Sequence, residues 1–328
     1  MVIQQMTVMV TGGAGFVGSY VCRELVNRDQ NVVSYDLLSP ISRLGYALPN
    51  LRTHIGDVTS FQDMTECVKR NKVEGIIAAA AILPPWDAIN PYKTLQVNAM
   101  GIANALEVQR LMDLERVVFV STAGVYGKRS DLSPIDEDSS KNPEIVYEDS
   151  KLIGEHVCRT YKTRYGLDVR VVRFSFIYGL GQHDIWPLNI LLYHALERKN
   201  FKIREGGDYA MDLCYVKDTA RGCVQAYVAK QPSALAYNIG FGKLTTVTEI
   251  ASALKNIFPE FQFEIGPGLW PSEMHRAWVR GPLKIERART ELGYSPQYDL
   301  KTGLADLVEE LKTRPEHKSW PENDLWIM

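Results

Sequence analysis

The chain has 328 residues, 45% of them hydrophobic and 23% charged, with a formal net charge of -2 and a pI near 6.3. This length fits two domains, or one large α/β unit with an appendage, and the apolar content suffices for a sizeable core. The near-neutral balance excludes the basic footprint of a nucleic-acid or membrane-surface binder.

Taken in chain order, "MTVMVTG" reads as a buried strand and "FVGSYVCRELVNR" has helical spacing. "NVVSYD" is a second strand, and "SFQDMTECVKRN" is a helix capped by Ser60. "VEGIIAAAA" is a strand, "YKTLQVNAMGIANALEVQRLM" one long helix, and "RVVFVST" another strand. "PEIVYEDSKLIGEHVCRTYKTRYG" then reads as helix and "DVRVVRFS" as strand. Strand–helix alternation at this spacing predicts βαβ units with right-handed crossovers, hence an α/β doubly wound parallel sheet buried on both faces.

After about residue 176 the rhythm changes, with Pro, Gly and aromatic residues dense in "IYGLGQHDIWP" and "GPGLWPSEMHRAW". The stretch "LCYVKDTARGCVQAYVAK" resumes the strand–helix pattern. The predicted division is residues 1–176 plus about 212–240 in the first domain. A smaller C-terminal substrate-binding α/β domain takes about 177–211 plus 241–314, and 315–328 form a polar tail with two tryptophans. The longest apolar run, "GIIAAAAILPPW", is too short to span a bilayer. The N-terminal "MVIQQMTVMVTGG" lacks a basic flank and reads as a strand, not a signal peptide. Cys22, Cys67, Cys158, Cys214 and Cys223 form no CxxC pair, and the six histidines show no metal-ligand spacing. Reduced thiols in a cytoplasmic protein without a metal are the expectation.

"TGGAGFVG" follows the first strand and opens the first helix, with glycines at Gly12, Gly15 and Gly18. Glycine lets backbone approach a pyrophosphate closely, and the helix amino terminus offers it free N–H groups. Asp36 ends the second strand, 18 residues after Gly18. A carboxylate there accepts the ribose hydroxyls of NAD and repels the 2′-phosphate of NADP, although Arg43 lies near in sequence. Asp57, in "IGDVTS" after the third strand, either faces the adenine or serves only as a turn residue.

These segments stand with "VNAMGI", "VSTAGVYG", "YEDSK", "VRFSFIYGLGQ", "MDLCYVKDTA", "YNIG" and "ARTELGYSP", in that order. Together they resemble the extended short-chain dehydrogenase/reductases of the NAD-dependent epimerase/dehydratase family, from about residue 7 to 310. The resemblance implies a Rossmann domain and an enzyme with NAD as cofactor. It implies Tyr147 as catalytic acid/base, Lys151 as the residue that binds the nicotinamide ribose and tunes the tyrosine, and Thr122 as a hydrogen-bond partner of the reacting oxygen. Gly12, Gly15, Phe16, Val17, Gly18, Asp36, Asp57, Val58, Ala80 and Asn98 would line the cofactor, with Tyr147 and Lys151. It also implies a homodimer through the helices that carry Asn98 and Tyr147.

Tyr147 and Lys151 are four residues apart, on one face of a helix. A free phenol with a pKa near 10 rarely ionises at neutral pH, and a nearby ammonium favours the phenolate. With 16 tyrosines, about one Tyr-x-x-x-Lys is expected by chance; Tyr147 is the one that has it.

Three positions depart from the family pattern. Phe176 stands where an asparagine often contacts a sugar-nucleotide diphosphate, Met211 where an arginine contacts the nucleotide, and Ala78 where a histidine is usual. Losing an amide and a guanidinium weakens a nucleotide-sugar reading. Arg276 and Arg280 remain as anion contacts or as surface residues. Ala123 and Gly124 after Thr122 argue against dehydration or decarboxylation, which need acids there. Pro84, Trp86, Ala123, Phe176, Tyr178, Trp186, Met211 and Arg280 are the candidate substrate contacts, with some of the apolar ones expected to fill the domain interface instead. The leading reading is an NAD-dependent oxidoreductase acting at a secondary alcohol or ketone of a sugar-like or other small hydroxy substrate. The alternatives are a sugar or nucleotide-sugar epimerase with retained NAD and, third, a non-catalytic NAD sensor.

Overall fold

The computed structural model describes residues 5–39, 48–129, 131–182, 187–230, 232–271 and 279–313. Arg43, Trp186, Arg276 and the 315–328 tail, all singled out above, lie outside the described residues.

Seven strands form one parallel sheet: β1 (Thr7–Thr11), β2 (Asn31–Asp36), β3 (Leu51–Ile55), β4 (Gly75–Ala78), β5 (Arg116–Thr122), β6 (Val169–Phe174) and β10 (Ala236–Ile239). Their spatial order is β10-β6-β5-β4-β1-β2-β3. β4 and β5 are largely apolar runs and β6, although it carries Arg170 and Arg173, is buried throughout because helices cover both faces, whereas β3, at the edge, reads "LRTHI" and is half exposed. On one face the Phe16–Val26 helix packs against the Val216–Val228 helix; the Phe61–Asn71, Gly101–Met112 and Val146–Tyr165 helices build the other core. The chain moves outward from β1 to β3 and then crosses to β4 on the far side of β1. That reversal opens a crevice beyond the carboxyl ends of β1 and β4, where doubly wound sheets take their ligands.

Two smaller sheets follow. β7 (Phe176–Tyr178), β9 (Ala210–Tyr215) and β11 (Leu244–Thr246) form one, and β8 (Phe201–Ile203) pairs with β12 (Phe263–Ile265). The strand expected in "LCYV" is part of β9 and pairs outside the main sheet, while the helix after it packs on that sheet.

Local chemistry sets the helix ends. The Ser60 hydroxyl accepts the Asp63 N–H, as its capping role predicts. The Val146–Tyr165 helix begins three residues later than the sequence pattern places it, after extended Ile145. Its first turn is capped from outside, the Asp87 carboxylate accepting the Tyr147 N–H at 3.1 Å. The expected single helix over residues 92–112 is interrupted by a π turn at Gln96–Met100. Asn98 on that turn is buried, its amide bonded to both backbone groups of Ile82 and to the Ser150 hydroxyl. A wide turn that aims one side chain inward is a recurrent mark of functional sites.

One buried ion pair ties these layers together. The Arg173 guanidinium donates to both oxygens of Glu155, at 2.8 and 2.6 Å, and the Ser121 hydroxyl adds a 2.7 Å bond to the same carboxylate. Glu155 lies on the helix that carries Tyr147, and Ser121 directly precedes Thr122. All five cysteines are buried free thiols, whose pKa values burial pushes up. No helix among the described residues is long and apolar enough to cross a membrane.

Candidate active site

A cavity of about 670 Å³ opens at the switch point between β1 and β4. One end is the glycine turn. Gly12 has φ 70°, and a Cβ there would lie 2.7 Å from the Ala80 backbone. A Cβ on Gly18 would collide with the Gly12 carbonyl, so the first helix can start this close to the turn only without side chains. Phe16, Val17, Val58 and Ala80 also line this end.

Asp36 reaches the cavity from the end of β2, where Oδ2 accepts the Ala14 N–H at 3.0 Å and Oδ1 the Leu38 N–H at 3.3 Å. It therefore braces the glycine turn while keeping lone pairs for a ribose. Asp57 lines the cavity and is also a turn residue, its Oδ1 accepting the backbone N–H and hydroxyl of Thr59 at 2.8 Å each. Burial raises its pKa, but the Thr59 bonds and Lys93, 3.7 Å away, outweigh that and hold the carboxyl below its ordinary range. This end fits NAD: a side-chain-free cradle at a helix amino terminus for the pyrophosphate and a carboxylate at the end of β2 for the ribose.

At the other end stand Thr122, Tyr147 and Lys151, all lining the same cavity. Thr122 closes β5 and accepts the Gly124 N–H at 3.0 Å, which fixes the 3-10 turn Ala123–Tyr126. The Lys151 ammonium is buried, donates to the Val120 carbonyl at 2.8 Å and sits 5.9 Å from the centre of the Tyr147 ring. Burial pushes its pKa down to about 7. A protonated Lys151 favours the phenolate of Tyr147.

The depressed Lys151 pKa has a measurable consequence. In the folded protein it lies below its ordinary 10.5, so the cost of the buried charge is fully present below pH 7. Between about 7 and 10.5 the unfolded chain holds the extra proton, and stability rises with pH at up to about 1.4 kcal/mol per unit. Relative to Lys151→Met, the cofactor-free wild type should therefore gain stability steadily from pH 7 to pH 10. Losing the Val120 bond in the variant adds only a pH-independent offset of about 1 kcal/mol. Urea unfolding of both proteins at pH 6 and pH 9 reads this; a difference that does not change with pH would refute the buried charge.

The remaining candidates divide. Pro84, Trp86, Ala123, Phe176 and Arg280 line the cavity. Tyr178 and Met211 do not: they are 2% and 1% exposed and belong to the hydrophobic core, so as substrate contacts they are corrected. Both alternate into the small sheet, and a sequence pattern cannot tell a strand's core face from its cavity face. Asn98 is corrected likewise. It is absent from the cavity wall and acts one layer behind, holding the Ile82 backbone beside it.

Two residues escaped the sequence reading. Asp87, within the quoted "ILPPWD", is 3% exposed and caps the helix of Tyr147. Glu148, next to Tyr147, lines the cavity and lies 3.5 Å from Arg280. No local spacing signals either, because their partners are distant in sequence.

The comparisons with known proteins agree with this geometry. Residues 8–240 match the model of the NAD dependent epimerase/dehydratase family. The chain is 30% identical over 310 residues to a putative UDP-glucose 4-epimerase of Methanocaldococcus jannaschii, covering 93% of this chain and 98% of that one. Among solved structures it resembles a UDP-glucose 4-epimerase of Thermotoga maritima with UDP-glucose, at 25% identity and TM-score 0.83, over 94% of this chain and 100% of that one. It also resembles a UDP-glucuronic acid 4-epimerase of Bacillus cereus in complex with UDP-glucuronic acid and NAD, at 25% identity and TM-score 0.79, over 94% and 99%. With the glycine turn, Asp36 and the Thr122–Tyr147–Lys151 end around one cavity, this chain is an NAD-dependent enzyme that belongs to the epimerase/dehydratase family.

Proposed function

We propose that the enzyme transfers a hydride at a secondary alcohol or ketone of a sugar-like substrate, with Thr122, Tyr147 and Lys151 as its reacting end. The observation that carries this reading is that these three side chains line one cavity with the glycine turn and Asp36. NAD, when bound, supplies the hydride acceptor. The Tyr147 oxygen takes the alcohol proton in one direction and returns it in the other. Thr122 holds the reacting oxygen in line, and Lys151 favours the phenolate. Arg280, from the smaller domain of residues 177–211 and 241–314, would meet the substrate together with Pro84, Trp86, Ala123 and Phe176 of the first domain.

A second reading, an epimerase that retains NAD and returns the hydride to the opposite face, is favoured by the relatives. The M. jannaschii protein and both structural neighbours bear epimerase names, and the substrates bound in those two are UDP-sugars. Against a nucleotide sugar stands the cavity itself. Phe176 lines it where the family often has an amide, and Met211 is sealed in the core where the family has a guanidinium. Two copies of the chain would pair through the helices that expose Tyr92, Met100 and Ile153.

Denaturing freshly purified protein and quantifying released nucleotide separates the two readings. Near one NAD(H) per chain would favour the epimerase. An empty protein that binds added NAD reversibly would favour a dehydrogenase, to be followed by NADH formation from candidate alcohols.

A further inference from the structure

The substrate end of the cavity contains a buried guanidinium that hydride transfer does not use. Arg280 is 6% exposed and lines the cavity. One terminal nitrogen donates to the Ala123 carbonyl, and the other lies 3.5 Å from Glu148 Oε1. Its central carbon is 5.9 Å from the centre of the Phe176 ring. Its Nε–H is buried and has no hydrogen-bond partner among the described residues.

The placement is specific. Ala123 follows Thr122 and Glu148 follows Tyr147, so Arg280 is tied to the residue after each of two reacting side chains. Room for the pair is also built in. A Cβ on Gly124 would meet Glu148 Cγ and Oε1 at 2.8 Å, so any larger residue there would press on the carboxylate that faces Arg280. An unpaired buried guanidinium donor is costly unless something completes it.

We infer that Arg280 is the specificity residue of this enzyme and that it receives a carboxylate carried by the substrate, so that the substrate is a sugar acid or comparable hydroxy acid. The assignment rests on the proposed site of hydride transfer. A planar carboxylate matches the guanidinium fork. Its single charge also matches one arginine, whereas a phosphate dianion would leave a charge uncompensated in a cavity that is otherwise largely apolar. Glu148 is an incomplete counter-ion: its contact is long, its other oxygen accepts the Glu144 N–H, and burial disfavours its ionised form. Among the described residues the other acid near Arg280 is Glu144, which is exposed.

The test uses the full chain and matched probes: glucuronate, glucose and glucose 6-phosphate, together with UDP-glucuronate and UDP-glucose. Each is titrated by calorimetry with and without NAD. Wild type should bind the acid of at least one pair about tenfold or more tightly than its neutral partner, a typical return for one charge-assisted fork. Arg280→Met should remove that preference, lowering acid affinity about tenfold or more beyond any change in neutral-sugar affinity, and Arg280→Lys should keep part of it. Glu148→Gln, which removes the competing carboxylate, should strengthen acid binding. A purely structural arginine would instead change acid and neutral probes alike. Equal binding of acid and neutral sugar in wild type, a preference that survives Arg280→Met, or tighter binding of the phosphate would each overturn the assignment. NAD binding is read separately on the same samples, and its failure would overturn the hydride-transfer reading instead.

Discussion

Tyr147→Phe is expected to lower turnover by about 10²–10⁴-fold, the usual worth of one positioned acid–base group. The substitution keeps the ring 5.9 Å from the Lys151 ammonium and removes only the oxygen that exchanges the proton. The ring is only half-buried and its backbone N–H stays bonded to Asp87, so the helix should start where it does now. NAD affinity should be essentially unchanged, because the glycine turn, Asp36 and Asp57 lie at the other end of the cavity. Turnover is read as interconversion of UDP-sugars and as NADH formation from free sugars and sugar acids, with NAD binding measured in parallel. Activity retained in the variant would sink the catalytic assignment. Lost NAD binding would show instead that the phenol holds the cofactor.

Glu155→Gln should be the most damaging single change to stability. Arg173 and Glu155 are each buried, and the variant leaves a guanidinium in the core without its counter-charge. Breaking one side of such a pair typically costs about 3–5 kcal/mol, a large share of the roughly 5–15 kcal/mol that holds a domain folded. The Tyr126 hydroxyl and the Glu137 carbonyl, both 2.8 Å from Arg173, retain its other contacts but supply no formal charge. Urea unfolding of the single variant and of Glu155→Gln/Arg173→Met decides the matter. The double variant should recover part of the loss, since it no longer buries a lone charge. A single-variant loss under about 1 kcal/mol would mean that the neutral partners suffice. Activity should fall with stability, because Glu155 links the helix of Tyr147 to Ser121 beside Thr122.

The sequence by itself determined the parts of this protein that depend on near neighbours. The parallel sheet was legible from apolar runs alternating with helical spacing, and the glycine turn from three residues within seven positions of one another. Tyr147 and Lys151 were legible because one helical turn joins them whatever packs around it. Ser60 announced its helix for the same reason. The tertiary structure alone decided which face each side chain shows and what meets it. Tyr178 and Met211 have the composition of a pocket wall, yet the pairing of β9 with β7 and with β11 leaves them in the core. Asn98 sits on a π turn whose purpose, holding Ile82 and Ser150, involves residues 16 and 52 positions away. Arg280 meets Ala123 across 157 positions, and Glu148 is in place only because Gly124 has no side chain. Local spacing carries dihedral preference and periodicity, which survive without the fold. Burial, charge pairing and the shape of a cavity arise only when distant segments exclude water together, and that is where the substrate side of this enzyme is written.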